Sequence, residues 1–282
     1  MGEPRAVQHQ SSGRQVIEGA GVRLRRVIGG PEVDYVDPFL LLDEFRSDNP
    51  DDYIAGFPRH PHRGMETVTY MIRGRVRHGD SIGNAGVIGP GDVQWMTAGH
   101  GIIHEEMPER QEGLLWGFQL WVNLPARLKM SDPHYQEIAA EEIPSVELSK
   151  NVRARVITGE VEGTRGPVAG IAADPLYLDV VMLDRSEVTL PVSPGHSAFA
   201  YLFQGEGTVG GAAASAPRLL VLGDGDRLQA SSAEGMRLLL VAGAPLREPV
   251  ARGGPFVMNT REEIEQAFRD YREGKLLKAQ GA

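Results

Sequence analysis

The sequence predicts an all-β fold: two β-barrels in tandem, with one C-terminal α-helix. Three observations carry this. Short apolar segments recur between turn residues, and the chain holds 35 Gly and 19 Pro to make those turns. Pieces of the first half reappear about 130 residues later. The last stretch changes its hydrophobic period from strand-like to helical.

In chain order, residues 1–14 are polar and lack periodicity, so a disordered tail is expected there. Residues 22–28 (VRLRRVI) read as a strand, and 39–42 (FLLL) as a short apolar run before Asp43-Glu44. Residues 66–72 (ETVTYMI) are rich in β-branched and aromatic side chains, which suit a pleated surface. The Gly-rich stretch 79–86 is expected to be a loop. Pro90-Gly91-Asp92 is a turn signal before the strand 93–96, and 102–107 and 114–124 continue as strands. Residues 125–150 are polar and contain Pro, as a connector between barrels would. Four more strands are expected at 178–183, 197–203, 218–222 and 236–241.

The repeat is seen in Tyr70-Met71-Ile72-Arg73-Gly74 against Tyr201-Leu202-Phe203-Gln204-Gly205. It places a first barrel in 15–135 and a second in 136–282. Thr260 and Glu263 form a capping box, with Ile264, Phe268 and Tyr271 on one face and Gly274 as the stop. The helix therefore spans about 260–274 and is assigned to the second barrel's domain.

Composition narrows the function classes. The chain of 282 residues is 41% hydrophobic and 24% charged, an ordinary globular profile. Its formal net charge of -9 disfavours direct nucleic-acid binding. Arg23, Arg25 and Arg26, and Arg73, Arg75 and Arg77, recur at near-strand period and read as solvated strand faces. No cysteine is present, which fits a reducing compartment. The N-terminal residues lack the apolar core of a signal peptide, and no run is long enough to span a membrane. A cytoplasmic monomer is expected.

Chemistry concentrates in His60-Pro61-His62 and His104-Glu105-Glu106. Side chains at i and i+2 of a strand share a face. Two such strands facing each other would gather three imidazoles and a carboxylate, a donor set suited to a divalent transition metal. Pro61 cannot donate a ladder hydrogen bond, so the first segment should be a strand end or edge. Glu66 has the same parity as His60 and His62, and geometry alone leaves it open beside Glu106. Pairing with His104 on one strand favours Glu106. His78, His100 and His196 are better read as loop or turn histidines. Trp95, Trp116 and Trp121 read as barrel core, although one at a barrel mouth could stack an aromatic ligand.

The segment His60, His62, Glu66, the later Pro90-Gly91 and the second histidine resemble the two cupin motifs. More narrowly, 37–45 (DPFLLLDEF), 57–70 (FPRHPHRGMETVTY), 90–108 (PGDVQWMTAGHGIIHEEMP), 120–125 (LWVNLP) and 254–264 (GPFVMNTREEI) resemble the pirin family of bicupins. The resemblance covers about 20–274 and implies two jelly-roll-like cupin barrels, with the metal in the first alone. It places the metal ligands on His60, His62, His104 and Glu106. The implied metal is Fe(2+), with Cu, Mn, Ni, Co or Zn as substitutes. It further implies a quercetin 2,3-dioxygenase type of activity on a flavonol-like substrate and O2, with Glu106 as the catalytic proton acceptor. The other activity implied is that of a metal-bearing regulator that binds transcription factors or metabolic enzymes without turnover.

Overall fold

Strands form where the β-branched and aromatic segments lie, and they assemble into two contact units. The computed structural model describes residues 2–110 and 113–278. One unit comprises Gln15–Arg26, Phe39–Ala140 and Leu246–Ala282; the other comprises Met1–Arg14, Val27–Pro38 and Glu141–Pro245.

In the first unit a seven-stranded sheet runs in the order His134–Ile138, Val93–Thr97, Met65–Arg73, Leu115–Asn123, Phe39–Ser47, Val22–Ile28 and Arg14–Glu18. A four-stranded sheet runs in the order Phe57–His62, Ile102–Pro108, Val76–Asp80 and Ala85–Ile88. One apolar cluster draws Leu24, Phe45, Met71 and Leu115 from the larger sheet and Val76 and Ile88 from the smaller. The two sheets therefore face each other and close a barrel, with the strands' inward side chains as its filling.

The second unit is built on a ten-stranded sheet, with a separate two-stranded hairpin of Glu160–Val161 and Thr164–Arg165. Its core is aliphatic and includes Val156, Leu178, Leu202, Leu220 and Leu240. The internal repeat is structural: Gly74 and Gly205 each end the equivalent aromatic segment of a central strand in the left-handed region, with φ of 85° and 73°. Asp179 is fully buried and takes a two-pronged ion pair from Arg237 at 2.8 and 2.6 Å.

Several sequence expectations need correction. Val7–Ser11 is not disordered; it pairs antiparallel with Arg218–Leu222 as an edge strand of the second unit. Its polar side chains gave no sign of this, because an edge strand is held by its backbone. The C-terminal helix, Arg261–Arg272, belongs to the first unit. There Phe256, Met258, Ile264, Ala267 and Leu276 pack together with Ile103. The presumed connector supplies a strand to each unit, His134–Ile138 to the first and Ser145–Ser149 to the second. The presumed loop at 79–86 is a hairpin in which His78 opposes Gly86 and Gly79 opposes Ala85.

The helix itself forms as the capping box requires. The Thr260 hydroxyl accepts from the Glu263 N–H, and the Glu263 carboxylate accepts from the Thr260 N–H. Arg26 also departs from a solvated strand face, since it is half-buried and pairs with Asp43 at 2.9 and 2.8 Å and with Glu18 at 2.9 Å.

Candidate metal centre

Phe57–His62 contains two prolines, each without an amide donor, and it lies at the edge of the four-stranded sheet. Its one partner in that sheet is Ile102–Pro108. The antiparallel register sets His60 directly across from His104, and His62 across from Ile102. His60 is half-buried, whereas His62 and His104 are buried.

The three imidazoles point at one spot. Their ligand atoms lie within 4.8 Å of one another. His60 Nε2 is 3.1 Å from His62 Nε2 and 3.0 Å from His104 Nε2. Nitrogens bound to one ion at about 2.1 Å and at right angles would stand about 3.0 Å apart. Both separations from His60 fit a pair of imidazole nitrogens that could share one ion.

The outer ring atoms point to the same conclusion. His60 Nδ1 lies 2.9 Å from the Pro58 carbonyl, and His62 Nδ1 lies 3.2 Å from the Pro255 carbonyl. A carbonyl can only accept, so both Nδ1 atoms carry the hydrogen and both Nε2 atoms present lone pairs. Two lone pairs 3.1 Å apart repel unless a cation or a proton lies between them. Burial, with the neighbouring His60 charge, holds His62 down to about 3 and keeps the proton off. Burial drives His104 well below its ordinary value as well. Its Nδ1 is buried without a hydrogen-bond partner. The arrangement fits a divalent metal and disfavours a protonated cluster.

Glu106 shares the strand face of His104, but its carboxylate stands outside the 4.8 Å cluster. Thr69 donates to its Oε1 at 2.8 Å, and Gln119 Oε1 lies 3.1 Å from the same hydroxyl. Burial pushes the Glu106 carboxyl up, partly offset by the His60 charge and the Thr69 hydrogen bond. A cation beside it would reverse that push.

Glu66 lies elsewhere. Thr69 reaches Glu106, so the odd-numbered residues of Met65–Arg73 face the histidines and Glu66 faces the opposite side. There it accepts from Thr97 at 2.8 Å. Parity fails to carry over from His62 because the chain turns at Arg63-Gly64 into the other sheet, with Gly64 at φ 79°.

The remaining sequence candidates separate clearly. Trp95 and Trp116 are buried, the latter donating to Glu44 at 2.8 Å. Trp121 is half-buried and meets the His62 ring edge-on at 5.3 Å. His78 is not a solvated loop residue; its side chain is buried, 3.0 Å from Glu137, with Gly86 leaving room for its ring. His100 is likewise buried, in a turn. His196 is half-buried in the Ser193 turn, as expected. Sequence reasoning missed Thr69 and Gln119, whose only signal was a shared strand parity, and it missed the Pro255 carbonyl, which had none.

Comparison with known proteins agrees with this geometry. The Pirin family model matches residues 21–122, and the model of the pirin C-terminal cupin domain matches residues 177–277. The chain belongs to the pirin family. It is 49% identical to a pirin-like protein of Caulobacter vibrioides over 264 residues, covering 93% of this chain and 96% of the relative. It is 43% identical to pirin of Homo sapiens over 282 residues, covering 98% and 95%. Among solved structures, quercetin 2,3-dioxygenase from Acinetobacter baumannii is similar, with a TM-score of 0.90 and 33% identity over 97% of this chain and 99% of that one. The fold is thus two cupin domains with one C-terminal helix, and no helix among the described residues is long and apolar enough to cross a membrane.

Proposed function

We propose that this pirin is a mononuclear metal-dependent dioxygenase of quercetin 2,3-dioxygenase type. Its ligands are His60, His62, His104 and Glu106, with iron as the resident metal. The observation that carries this reading is the convergence of three buried or half-buried Nε2 atoms, two of them with lone pairs fixed inward by backbone carbonyls. Similarity to a quercetin 2,3-dioxygenase over nearly the whole chain supports the substrate class.

When bound, the metal supplies Lewis acidity that makes a flavonol hydroxyl acidic at neutral pH and a place for O2 beside it. The chain's own residues do the rest. Pro58 and Pro255 fix the two imidazole tautomers. Thr69 holds one oxygen of Glu106, which orients the carboxylate toward the same space. Glu106, held by the Thr69 hydroxyl, accepts the substrate hydroxyl proton. Trp121 offers an aromatic wall next to His62 for a planar ligand.

The test is spectroscopic. Iron-loaded protein mixed with quercetin in air should lose the flavonol absorbance, and the loss should stop without O2 and in a His60→Ala variant. No loss with iron, copper, manganese, nickel or cobalt would defeat the enzyme reading. Retention of metal under those conditions would instead favour a metal-bearing regulator that binds transcription factors or metabolic enzymes.

A further inference from the structure

One buried cation has no part in the chemistry above. Lys129 follows a short 3-10 turn, Ala126–Leu128, in the stretch the sequence marks as a connector, and only 1% of its surface is exposed. Its ammonium donates to three oxygens: Asn123 Oδ1 at 2.7 Å, the Gly64 carbonyl at 2.8 Å and the Val257 carbonyl at 3.0 Å. Three donors meet three acceptors, so the group is fully satisfied.

The position of those oxygens matters more than their number. Gly64 lies two residues after His62. Val257 lies two residues after Pro255, whose carbonyl accepts from His62 Nδ1. Lys129 thus joins the turn leaving the histidine strand to the C-terminal arm that fixes the histidine's tautomer. Other contacts point to the same joint. Val257 N–H donates to the Arg63 carbonyl at 3.0 Å. Arg63 pairs with Asp270 of the helix at 2.7 Å. A Cβ on Gly64 would stand 2.0 Å from the Val257 carbonyl oxygen, so the two backbones are in direct contact.

A buried ammonium is costly to desolvate, and a well-packed apolar side chain would serve packing alone at least as well. An ammonium at this joint does what no apolar group can: it holds two backbone carbonyls from distant segments at hydrogen-bond distance. We propose that Lys129 is a positioning residue for the metal centre, clamping the C-terminal arm to the Gly64 turn so that His62 keeps its metal-binding posture. The inference rests on the metal reading of His60, His62 and His104.

The experiment measures metal release. Manganese- or iron-loaded parent, Lys129→Met and Asp270→Asn proteins are challenged with excess chelator, and release is followed by the colour of the chelate. The temperature is one at which circular dichroism shows each protein folded. Outer partners of metal ligands change affinity by about 10- to 100-fold. Lys129→Met should release metal faster by that order, and Asp270→Asn by a smaller factor. The visible bands of cobalt-loaded Lys129→Met should also shift from the parent's, which a merely structural lysine would not cause. Equal release rates and superposable cobalt spectra would overturn the clamp. If Lys129→Met fails to fold, Asp270→Asn decides alone: faster release supports the clamp, and a parental rate overturns it. A parent that takes up no metal would overturn the reading of the histidines instead, so the two failures are distinct.

Discussion

Glu66 gives the sharpest quantitative prediction. Its carboxyl is 3% exposed and accepts a hydrogen bond from Thr97, with the Trp95 indole as a weaker neighbour. Burial raises it from 4.5 to about 7, against the pull of the Thr97 hydroxyl and the Trp95 indole N–H. The unfolded carboxyl loses its proton near pH 4.5 and the folded one near pH 7. Between those values the folded state holds more protons, so stability falls as pH rises, and the loss is complete above pH 7. The shift corresponds to about 3 kcal/mol.

Glu66→Gln removes that loss. The amide oxygen still accepts from Thr97, but the amide turns N–H groups toward the Trp95 indole, itself a donor, at a cost of about 1 kcal/mol. The variant should therefore be more stable than the parent by about 2 kcal/mol at about pH 8.5 and less stable by about 1 kcal/mol near pH 4.5. In a chain of this size each kcal/mol moves the melting temperature by about 2–4 °C. Thermal unfolding followed by circular dichroism across this range should show the two melting curves crossing. A difference in melting temperature that stays constant with pH would refute the argument. Metal content should match the parent's at every pH, because Glu66 faces away from the histidines; a Glu66→Gln protein that loses metal would place it in the site after all.

Three further outcomes follow from named contacts. Thr69→Val removes the donor to Glu106 without changing shape, and metal affinity measured against a chelator should fall about 10- to 100-fold. Asp179→Ala leaves Arg237 without its principal carboxylate in the second unit, and thermal unfolding should show a loss of about 3–5 kcal/mol. Thr260→Ala removes the helix cap and should cost about 1 kcal/mol, seen as faster amide exchange in Arg261–Arg272.

The readable parts of this molecule are those governed by local rules. The i, i+2 spacing of His60 and His62 put both rings on one strand face, and the capping box at Thr260 set the helix start. The Tyr70 and Tyr201 segments announced equivalent central strands. What the sequence hid depends on where distant segments meet. The parity of Glu66 was correct within its own strand, but the Arg63-Gly64 turn reset the face before that strand began. The partner of Val7–Ser11 is more than 200 residues away, and its pairing is made by backbone groups that carry no sequence signal. Lys129 lies in the stretch read as a polar connector, and nothing local shows that three oxygens enclose it.

The two prolines of Phe57–His62 link these levels. They remove two amide donors from a strand that would otherwise offer its free edge to further pairing. That edge is also the open side of the site: His60, next to Pro61, is the half-exposed member of the trio, whereas His62 and His104 are closed in. An unpaired edge leaves the way to the rings free of backbone ladder but gives up the hydrogen bonds that would hold them still. The missing restraint returns from carbonyls, Pro58 to His60 and Pro255 to His62, and the second of these comes from a C-terminal arm almost two hundred residues away. Access and rigidity are thus supplied by different parts of the chain, which is why the arm belongs with the first barrel although the sequence places it after the second.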